Sequence, residues 1–384
     1  MKIAVSGCGI AGTAVAALLA RQGHSVTIFE QANECRPIGA GIMLQPSGQA
    51  VLARMGLSEV VEQKSARLDG LDASLASGKS LIQLRYDALG DSTCAWGVHR
   101  GLLFESLLGE CTANGVEICN GSALQSCRRV DDRVSVVDQE EREYGGFDFV
   151  LATDGARSKL RTASALRCRL IDYPYAALWA TGPCPQVERC LHQVIDGTRR
   201  LVGLLPIGNG QCSFFWGVRS DHYDDLVSTG IGKWKNEVIR LCPPAAELLE
   251  TVERFDELTF SGYRHVGMRS WNTDSVLFLG DAAHASSPHL GQGANLALED
   301  AEVFANALAE TGDFDSACKW FTKQRYRKIR YYQQLTRLLT PFFQSDIPLL
   351  SFGRNAVLPW FPAVPFIRRR MLRTLCGLHD GWWK

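Results

Sequence analysis

The sequence predicts an α/β fold with two interleaved lobes, one built on a parallel sheet and the other on an antiparallel sheet. Three observations predict it. The chain opens with a strand, a glycine-rich turn, an Ala/Leu-rich helix and a second strand, which together form a βαβ pattern. From about residue 173 to residue 266, short apolar or aromatic runs alternate with Gly and Pro, which is typical of an antiparallel sheet. The chain then returns to a buried-strand pattern and long helices, so we expect the first lobe to be discontinuous.

The individual elements follow from apolar periodicity and from the Gly and Pro residues that end them. We expect the opening strand at residues 2–6, the first helix at residues 10–22 and the second strand at residues 25–30. The other predicted strands are 134–137, 147–151, 176–180, 200–205, 212–218 and 276–279, and the other predicted helices are 46–55, 102–111, 296–308 and 317–339.

Composition and charge exclude several classes of protein. The formal net charge is zero, so the chain lacks the excess basic charge expected of a nucleic-acid-binding protein. The apolar stretch near the N-terminus is interrupted by glycines and lacks a cleavage pattern, and no run approaches the roughly 18 apolar residues of a membrane span. The thirteen cysteines show neither a CxxC pair nor zinc spacing. We therefore expect a cytoplasmic protein with reduced, mostly buried thiols and no metal site.

A GxGxxG motif lies between the first strand and the first helix. In such a motif the first glycine allows a tight turn, the second lets a pyrophosphate approach the backbone, and the third lets helix and strand pack closely. Glu30 ends the second strand at the spacing where a carboxylate can accept hydrogen bonds from ribose hydroxyls. The motif predicts that a dinucleotide, either FAD or NAD(P), binds here. Its residues are Gly7, Cys8, Gly9, Ile10, Ala11 and Gly12.

A second motif spans residues 280–295 and distinguishes between the two dinucleotides. Asp281 follows a strand and can bind a ribityl or ribose hydroxyl, and the backbone amides at the start of the next helix can face an anionic flavin edge. The run resembles, almost position for position, the Gly-Asp motif of flavoprotein aromatic hydroxylases, the para-hydroxybenzoate hydroxylase family. The resemblance implies FAD as the cofactor. The loop residues that it assigns to the cofactor are Pro288, Gly291, Gly293, Ala294 and Asn295.

Two further positions match this family, and one more arginine is a candidate without a family match. Residues 153–158 resemble its Asp-Gly motif, which serves both FAD and NAD(P)H, so Asp154 is assigned to the cofactor. The family has an arginine that contacts the flavin cofactor at the position of Arg100. Arg36 is expected to contact the adenosine ribose or phosphate. A solvated surface charge is the alternative interpretation for both arginines.

The resemblance extends from residue 1 to about residue 340. It implies a Rossmann-like FAD-binding lobe with the GxGxxG motif, interleaved with an antiparallel-sheet substrate lobe and followed by C-terminal helices. We assign residues 1–70, 100–170 and 271–340 to the FAD-binding domain, residues 71–99 and 171–270 to the β-sheet substrate domain, and residues 341–384 to a helical, aromatic and basic tail.

The activity that the resemblance implies is monooxygenation. NADH or NADPH would reduce FAD, O₂ would form a flavin hydroperoxide, and its distal oxygen would pass to a small aromatic or heteroaromatic substrate. The protein is expected to act as a monomer or homodimer without nucleic acid. The alternatives are an epoxidase, N-hydroxylase or halogenase on the same fold, an FAD oxidase or dehydrogenase, and a redox-inactive flavin-binding interaction protein.

Candidate substrate residues come from the loop and from the antiparallel sheet. His289 lies in the loop expected at the flavin edge and is our candidate catalytic residue. Phe214, Phe215 and Trp216 share a predicted strand, so Phe215 faces away from the other two and only one set can line a pocket. Trp179 is a similar candidate, and core packing is the alternative for all four aromatics.

The C-terminal tail mixes aromatic residues, prolines and arginines. One interpretation is that its aromatics pack on the body of the protein. The other is that it contacts a membrane surface or a partner protein.

Overall fold

The computed structural model describes residues 1–36 and 39–382 and has the two-lobed α/β architecture that the sequence predicts. The strands are β1 (Lys2–Ser6), β2 (Ser25–Phe29), β3 (Gly41–Leu44), β4 (Ala66–Leu68), β5 (Gly70–Leu75), β6 (Ser80–Arg85), β7 (Ala95–His99), β8 (Glu117–Cys119), β9 (Leu124–Val130), β10 (Arg133–Asp138), β11 (Glu143–Phe147), β12 (Phe149–Ala152), β13 (Cys168–Pro183), β14 (Cys190–Asp196), β15 (Arg200–Gly208), β16 (Gln211–Arg219), β17 (Thr259–Met268) and β18 (Val276–Phe278).

Helices separate many of these strands. The α-helices are α1 (Ile10–Arg21), α2 (Pro46–Met55), α3 (Ser58–Gln63), α4 (Arg100–Ala113), α5 (Lys159–Ala163), α6 (Tyr223–Ser228), α7 (Ile231–Leu241), α8 (Ala246–Glu250), α9 (Asp281–His284), α10 (Gly293–Thr311), α11 (Phe314–Phe343), α12 (Leu349–Val357) and α13 (Pro365–Leu375). Short 3₁₀ helices lie at Tyr86–Leu89, Ser220–His222, Pro243–Ala245, Phe255–Glu257, Pro288–Leu290 and Leu358–Ala363.

The first lobe is built on a five-stranded parallel sheet in the order β18-β12-β1-β2-β8. Its central strands are almost continuously apolar because they are buried on both faces of the sheet, and Phe147 of the antiparallel β11-β10-β9 sheet packs against Phe29 of β2. Strands β1, β12 and β18 each lead directly into one of the three predicted cofactor motifs. Because parallel strands end at the same edge of a sheet, the fold brings these three motifs together.

The second lobe is built on a seven-stranded sheet in the order β17-β13-β16-β15-β14-β5-β6. Its pairs are antiparallel except for β14 with β5. Helices α6 to α8 interrupt a segment for which the sequence predicts sheet alone. Trp234 and Val238 of α7, one helical turn apart, are buried against one face of the sheet, and this i, i+4 spacing is the signal that the analysis of residues 173–266 missed.

A small sheet, β3-β7-β4, joins the two lobes. Strand β7 falls in residues 71–99, which the sequence assigned to the substrate domain, but it pairs with two strands of the other domain. Gly97 explains why β7 lies so close to the second lobe, because a Cβ atom there would overlap the carbonyl oxygen of Pro206 in β15. The other predicted domain boundaries stay predictions.

The C-terminal part is helical, as predicted. Helix α11 runs through Pro341 in its last turn to Phe343, and α12 and α13 follow it. The expectation that the tail packs its aromatics on the body is wrong for Trp360 and Phe366, which are mostly exposed. All thirteen cysteines are free thiols, and most of them are buried.

Candidate functional site

The GxGxxG loop has the shape of a phosphate cradle. Gly7 has φ +97°, and a Cβ atom there would lie 2.8 Å from the carbonyl oxygen of Thr153. A Cβ atom on Gly12 would overlap the carbonyl oxygen of Gly7. A Cβ atom on Gly9, by contrast, would meet none of the described atoms within 4 Å. The loop therefore packs tightly against the protein at Gly7 and Gly12 and leaves free space at Gly9. A pyrophosphate would approach the start of α1 through this space.

Glu30 is held beside this loop by backbone amides. Its Oε2 accepts a hydrogen bond from the Cys8 amide at 2.7 Å, and its Oε1 accepts one from the Ala32 amide at 3.0 Å. Each carboxylate oxygen keeps a further lone pair, so Glu30 can still accept hydrogen bonds from ribose hydroxyls.

Direct contacts join the three motifs. The Thr153 hydroxyl donates to the carbonyl oxygen of Ser6 at 2.8 Å. The Arg161 side chain is 1% exposed, and its Nη1 and Nη2 donate to the carbonyl oxygens of Ala282 and Ala156, each at 2.7 Å. Arg161 thus links the Asp-Gly and Gly-Asp motifs, a role that the sequence analysis did not assign to it.

Asp281 lies where the Gly-Asp motif contacts the first motif. The turn at Gly280 has φ +56°, and a Cβ atom there would lie 3.1 Å from the Cβ of Ala11. The Asp281 side chain has a large solvent-accessible surface, yet many protein atoms lie around it. A side chain that lines a deep cleft has both properties. Burial raises the pKa of its carboxyl group, and interactions with His284 and then with Arg100 partly offset this rise.

A buried ionic network supports the Gly280 turn. Asp300 accepts hydrogen bonds from the Gly280 amide at 3.1 Å and from Nε of Arg325 at 2.8 Å, and it pairs with Nε2 of His284 at 2.5 Å. Glu299 extends the network to Arg325 and Lys328. Burial alone would raise the pKa of Asp300, but His284 and Arg325 hold it below its usual value. The network contacts the backbone at the residue before Asp281 and therefore fixes where Asp281 points.

The loop between α9 and α10 ends in a helix start with available amides. Gly291 has φ +61°, and α10 begins two residues later with no side chain of the described residues capping it. The backbone amides of Gly293, Ala294 and Asn295 thus lack intrahelical acceptors. The Asn295 side chain itself is engaged elsewhere, because its Oδ1 accepts from the Gln45 amide at 2.9 Å and its Nδ2 donates to Gly291 at 3.1 Å.

The other predicted cofactor residues occupy different environments. Arg100 begins α4 and lies across Gly39, on the side of the cleft where its charge acts on Asp281. Arg36 forms an exposed ion pair with Glu34, so its contact with the adenosine stays a prediction. Asp154 has one carboxylate oxygen bonded to the Lys159 amide at 2.9 Å and the other, Oδ1, buried without a partner in the described part of the chain.

His289 belongs to a hydroxyl chain that assigns its tautomer. The Thr340 hydroxyl donates to the carbonyl oxygen of Thr336 at 2.7 Å, so the Ser287 hydroxyl, 2.7 Å from Thr340 Oγ1, donates to it. Ser287 Oγ must then accept from Nδ1 of His289 at 3.0 Å. Nε2 is left with a lone pair and is buried without a partner among the described residues. Burial lowers the pKa of His289 to about 4, so the ring is neutral at pH 7.

The four candidate aromatic residues lie on opposite faces of the seven-stranded sheet. Phe214 and Trp216 are buried against Trp234, with ring centroids 6.0 and 6.3 Å away, so their assignment to a substrate pocket is wrong. The physical reason is the covering helix α7, which makes their face a hydrophobic core. Phe215 and Trp179 lie on the opposite face, with ring centroids 5.2 Å apart.

Phe343 of α11 connects that opposite face to the loop. Its ring centroid lies 6.2 Å from the ring of His289, and it belongs to the same apolar cluster as Phe215. His289, Phe343 and Phe215 therefore mark a region between the cofactor loop and the sheet of the second lobe.

The arrangement fits FAD. The open side of Gly9 suits a pyrophosphate, Glu30 and Asp281 suit sugar or ribityl hydroxyls, and the α10 amides suit the flavin edge. The orphaned Oδ1 of Asp154 leaves room for one more hydrogen-bond donor. Within residues 1–36 and 39–382, no group of three or more His, Cys, Asp or Glu side chains could hold a metal ion.

Comparisons with known proteins agree with this geometry. The model of the FAD binding domain family matches residues 1–313. The chain is 28% identical over 320 residues to a probable 2-heptyl-3-hydroxy-4(1H)-quinolone synthase of Rhodococcus erythropolis, covering 82% of this chain and 81% of that protein. It is 30% identical over 365 residues to the 3-amino-4-hydroxybenzoate 2-monooxygenase of Streptomyces platensis, covering 88% and 87%.

The fold is also that of solved flavoproteins. The crystal structure of Klebsiella pneumoniae HpxO with FAD and uric acid has a TM-score of 0.81 to this chain at 21% identity, covering 98% of this chain and 97% of that one. Taken with the intact glycine motifs, these similarities assign the cofactor and the reaction type. The chain belongs to the FAD binding domain family, within the group that resembles para-hydroxybenzoate hydroxylase, and it is an FAD-dependent monooxygenase.

Proposed function

We propose that the chain is an NAD(P)H- and O₂-dependent enzyme that hydroxylates a small aromatic or heteroaromatic ring carrying an acidic O–H or N–H group. The observation that carries this proposal is the neutral His289 of the cofactor loop, whose buried Nε2 has no partner among the described residues and whose ring lies 6.2 Å from the ring of Phe343. Similar proteins support the ring chemistry, since their names specify a quinolone, an aminohydroxybenzoate and uric acid.

Bound FAD would supply electron acceptance from NAD(P)H and the activation of O₂. The residues of this chain supply position and electrostatics. The amides at the starts of α1 and α10 hold anionic parts of the cofactor, and Glu30 and Asp281 hold its hydroxyl groups. The loop from Pro288 to Gly293 covers the site and excludes water. The oxygen-transfer route that the family resemblance implies stays a prediction.

His289 acts on the substrate through Nε2. With a pKa of about 4, its imidazole is a weak base, so it accepts a hydrogen bond from the substrate O–H or N–H and shares the proton without removing it fully. This shifts electron density into the ring and makes a ring carbon more nucleophilic. Nδ1 is fixed by Ser287, so the acceptor nitrogen keeps its direction during the reaction.

Phe215 and Trp179 make the side of the site opposite the cofactor loop apolar. Their rings offer apolar surface suited to a planar ring, and the neutral His289 adds a single polar acceptor. This combination favours an uncharged or weakly acidic heteroaromatic substrate.

The test is a substrate panel with the purified yellow enzyme. Phenols, hydroxypyridines and quinolones are each added with NADH or NADPH, while cofactor oxidation is followed at its absorbance and products are analysed by mass spectrometry. We expect at least one ring with an acidic O–H or N–H to stimulate oxidation and to gain one oxygen atom on carbon. Failure of all ring classes to stimulate oxidation would contradict the proposal, and oxygen on nitrogen or across a double bond would identify an N-hydroxylase or epoxidase.

A further inference from the structure

The C-terminal region exposes large apolar side chains that the monooxygenase reaction does not use. Leu349 is 75% exposed, Phe352 72%, Trp360 70% and Phe366 74%. Single exposed apolar residues are ordinary, but four large ones within eighteen positions are not, and such a concentration of exposed apolar side chains is typical of an interaction surface. We call these four side chains, together with Arg368 and Arg369, the tail face.

Helix α12 presents its part of the tail face in a fixed direction. Leu349, Phe352 and Ala356 follow helical spacing and lie on the outer side, where all three are exposed. On the inner side Arg354 is 3% exposed, and its Nη1 donates to the carbonyl oxygens of Phe342 at 2.7 Å and Gly197 at 2.8 Å. The hydrogen bonds of Arg354 fix the orientation of α12, so its apolar side faces away from the protein.

Helix α13 is anchored in the same manner. Leu372 and Cys376 are fully buried in the cluster that also contains Leu205 and Ile207 of β15. The Tyr332 hydroxyl donates to the carbonyl oxygen of Thr374 at 2.9 Å. The tail is therefore a packed platform, and the exposure of its aromatics does not come from a frayed end.

The charge of the tail is strongly positive. Residues 347–379 contain five arginines and no Asp, Glu or Lys, although the whole chain has a net charge of zero. Arg368 and Arg369 are exposed and lie two and three positions after Phe366. Positive charge beside exposed Trp and Phe matches the interface of an anionic bilayer, where aromatic rings lie at the headgroup level and arginines pair with lipid phosphates.

This charge also argues against a second copy of the chain as the occupant. A two-fold symmetric interface would place the same patch against itself, so the arginines of both copies would face each other. We propose that the tail face docks on the surface of an anionic phospholipid bilayer, with Trp360 and Phe366 inserted at the headgroup level. None of the described helices is long and apolar enough to cross a bilayer, so the contact is interfacial.

Docking would bring the active site to the bilayer. The Gln292 side chain, in the loop that covers the cofactor site, donates to the carbonyl oxygen of Leu375 at 2.7 Å. The Ser47 amide donates to the carbonyl oxygen of Cys376 at 3.2 Å. The end of α13 thus contacts the cofactor loop directly, and a membrane-dissolved substrate would enter close to it.

The experiment is vesicle co-sedimentation of the full-length holoenzyme. Sucrose-loaded vesicles of phosphatidylcholine with 30% phosphatidylglycerol are compared with vesicles of phosphatidylcholine alone. The test variants are the pairs Trp360→Ser with Phe366→Ser, and Arg368→Ser with Arg369→Ser. The matched control pair is Val60→Ser with Val227→Ser, which are 49% and 40% exposed on other surfaces. FAD content and vesicle-free activity check that each variant is folded.

We expect the wild type and the control pair to bind anionic vesicles, with a partition coefficient about tenfold above that for neutral vesicles. Each test pair should lower anionic binding about tenfold or more while it keeps FAD and vesicle-free activity. Equal, negligible sedimentation of the wild type with both vesicles would overturn the proposal, as would wild-type binding by both test pairs. If light scattering instead shows that the test pairs dissociate a dimer, without any vesicle effect, the occupant is a second copy and the membrane proposal is wrong.

Discussion

The cofactor side and the substrate side of the active site are built in different ways. On the cofactor side, the backbone makes the site: glycines turn the chain at Gly7 and Gly280, and uncapped amides offer hydrogen bonds. On the proposed substrate side, side chains from separate elements would make the site, as with His289 from the loop, Phe343 from α11 and Phe215 from β16. A site made by the backbone tolerates side-chain substitutions at most positions, but not at its glycines. Substitutions on the substrate side can change which substrate binds while FAD binding is kept.

The largest effect is expected from Gly12→Ala. The added Cβ atom would overlap the carbonyl oxygen of Gly7, so helix α1 could not keep its approach to the loop. We expect essentially complete loss of FAD, measured as visible absorbance per chain after purification. The matched control is Gly109→Ala in α4, where the added atom meets none of the described atoms within 4 Å and FAD content should stay at the wild-type level. A yellow Gly12→Ala protein would show that the loop is not the cradle described.

A smaller but still large effect is expected from Asp300→Asn. Removal of one partner from a buried ionic network costs about 3–5 kcal/mol, because the buried Arg325 loses the negative charge of one of its two carboxylate partners. Urea unfolding of the holoenzyme measures this loss. Glu143→Gln, which breaks the exposed pair with Arg128, is the control and should cost at most about 1 kcal/mol.

The same network predicts a pH dependence with a definite sign. The pKa of Asp300 is lowered in the folded state, so its contribution is fully present above the unfolded carboxyl value of about 3.9 and is lost as the pH falls through the lower folded value. Wild-type stability should therefore fall more steeply below pH 4 than that of Asp300→Asn. Parallel stability curves for the two proteins would contradict this assignment.

His289→Asn should impair the reaction of the substrate without affecting FAD binding. We expect it to keep FAD and to lower substrate-dependent kcat/KM about 100-fold, because the shorter Asn side chain places no hydrogen-bond acceptor at the position of Nε2. Since the pKa of His289 is about 4, its contribution should be constant between pH 5 and pH 8. Ser287→Ala should give a smaller loss, about tenfold, because the ring remains but its tautomer is no longer fixed. A His289→Asn enzyme with wild-type kinetics would remove His289 from the site.

The smallest effect is expected from Phe215→Leu, compared with Phe214→Leu. Phe215 lies on the face toward the cofactor loop, so its replacement should raise KM by less than about tenfold and leave stability nearly unchanged. Phe214 lies in the core under α7, so its replacement should lower stability by about 1 kcal/mol and leave KM unchanged. If Phe214→Leu raised KM and Phe215→Leu lowered stability, our assignment of Phe215 to the substrate face and Phe214 to the core would be wrong.

This contrast also explains what could be predicted from the sequence. The cofactor motifs are local, because each follows a strand by one or two residues and depends on glycines that are visible in the chain. The convergence of Gly7, Thr153 and Gly280 then follows from the parallel order of three strands. The fold class and the convergence of the cofactor motifs are therefore predictable from the sequence.

The rest depends on contacts between distant positions. Strand alternation separates Phe215 from Phe214, but it does not say which face α7 covers. Arg325 meets Asp300 across 25 positions, and Thr340 orients His289 across 51, so no local pattern shows either contact. Packing of the tail aromatics on the body was one of two interpretations open from the sequence, whereas the outward direction of the apolar side of α12 follows from the buried anchor at Arg354.

The most direct test of the central claim is the FAD content of the purified wild-type protein and of Gly12→Ala, measured by absorbance of the flavin released on denaturation. The convergence of three backbone loops on one cofactor predicts one FAD per wild-type chain and almost none in the variant, with the Gly109→Ala control equal to wild type. A wild-type protein that stays colourless and does not bind added FAD, or a variant that retains one FAD per chain, would contradict it.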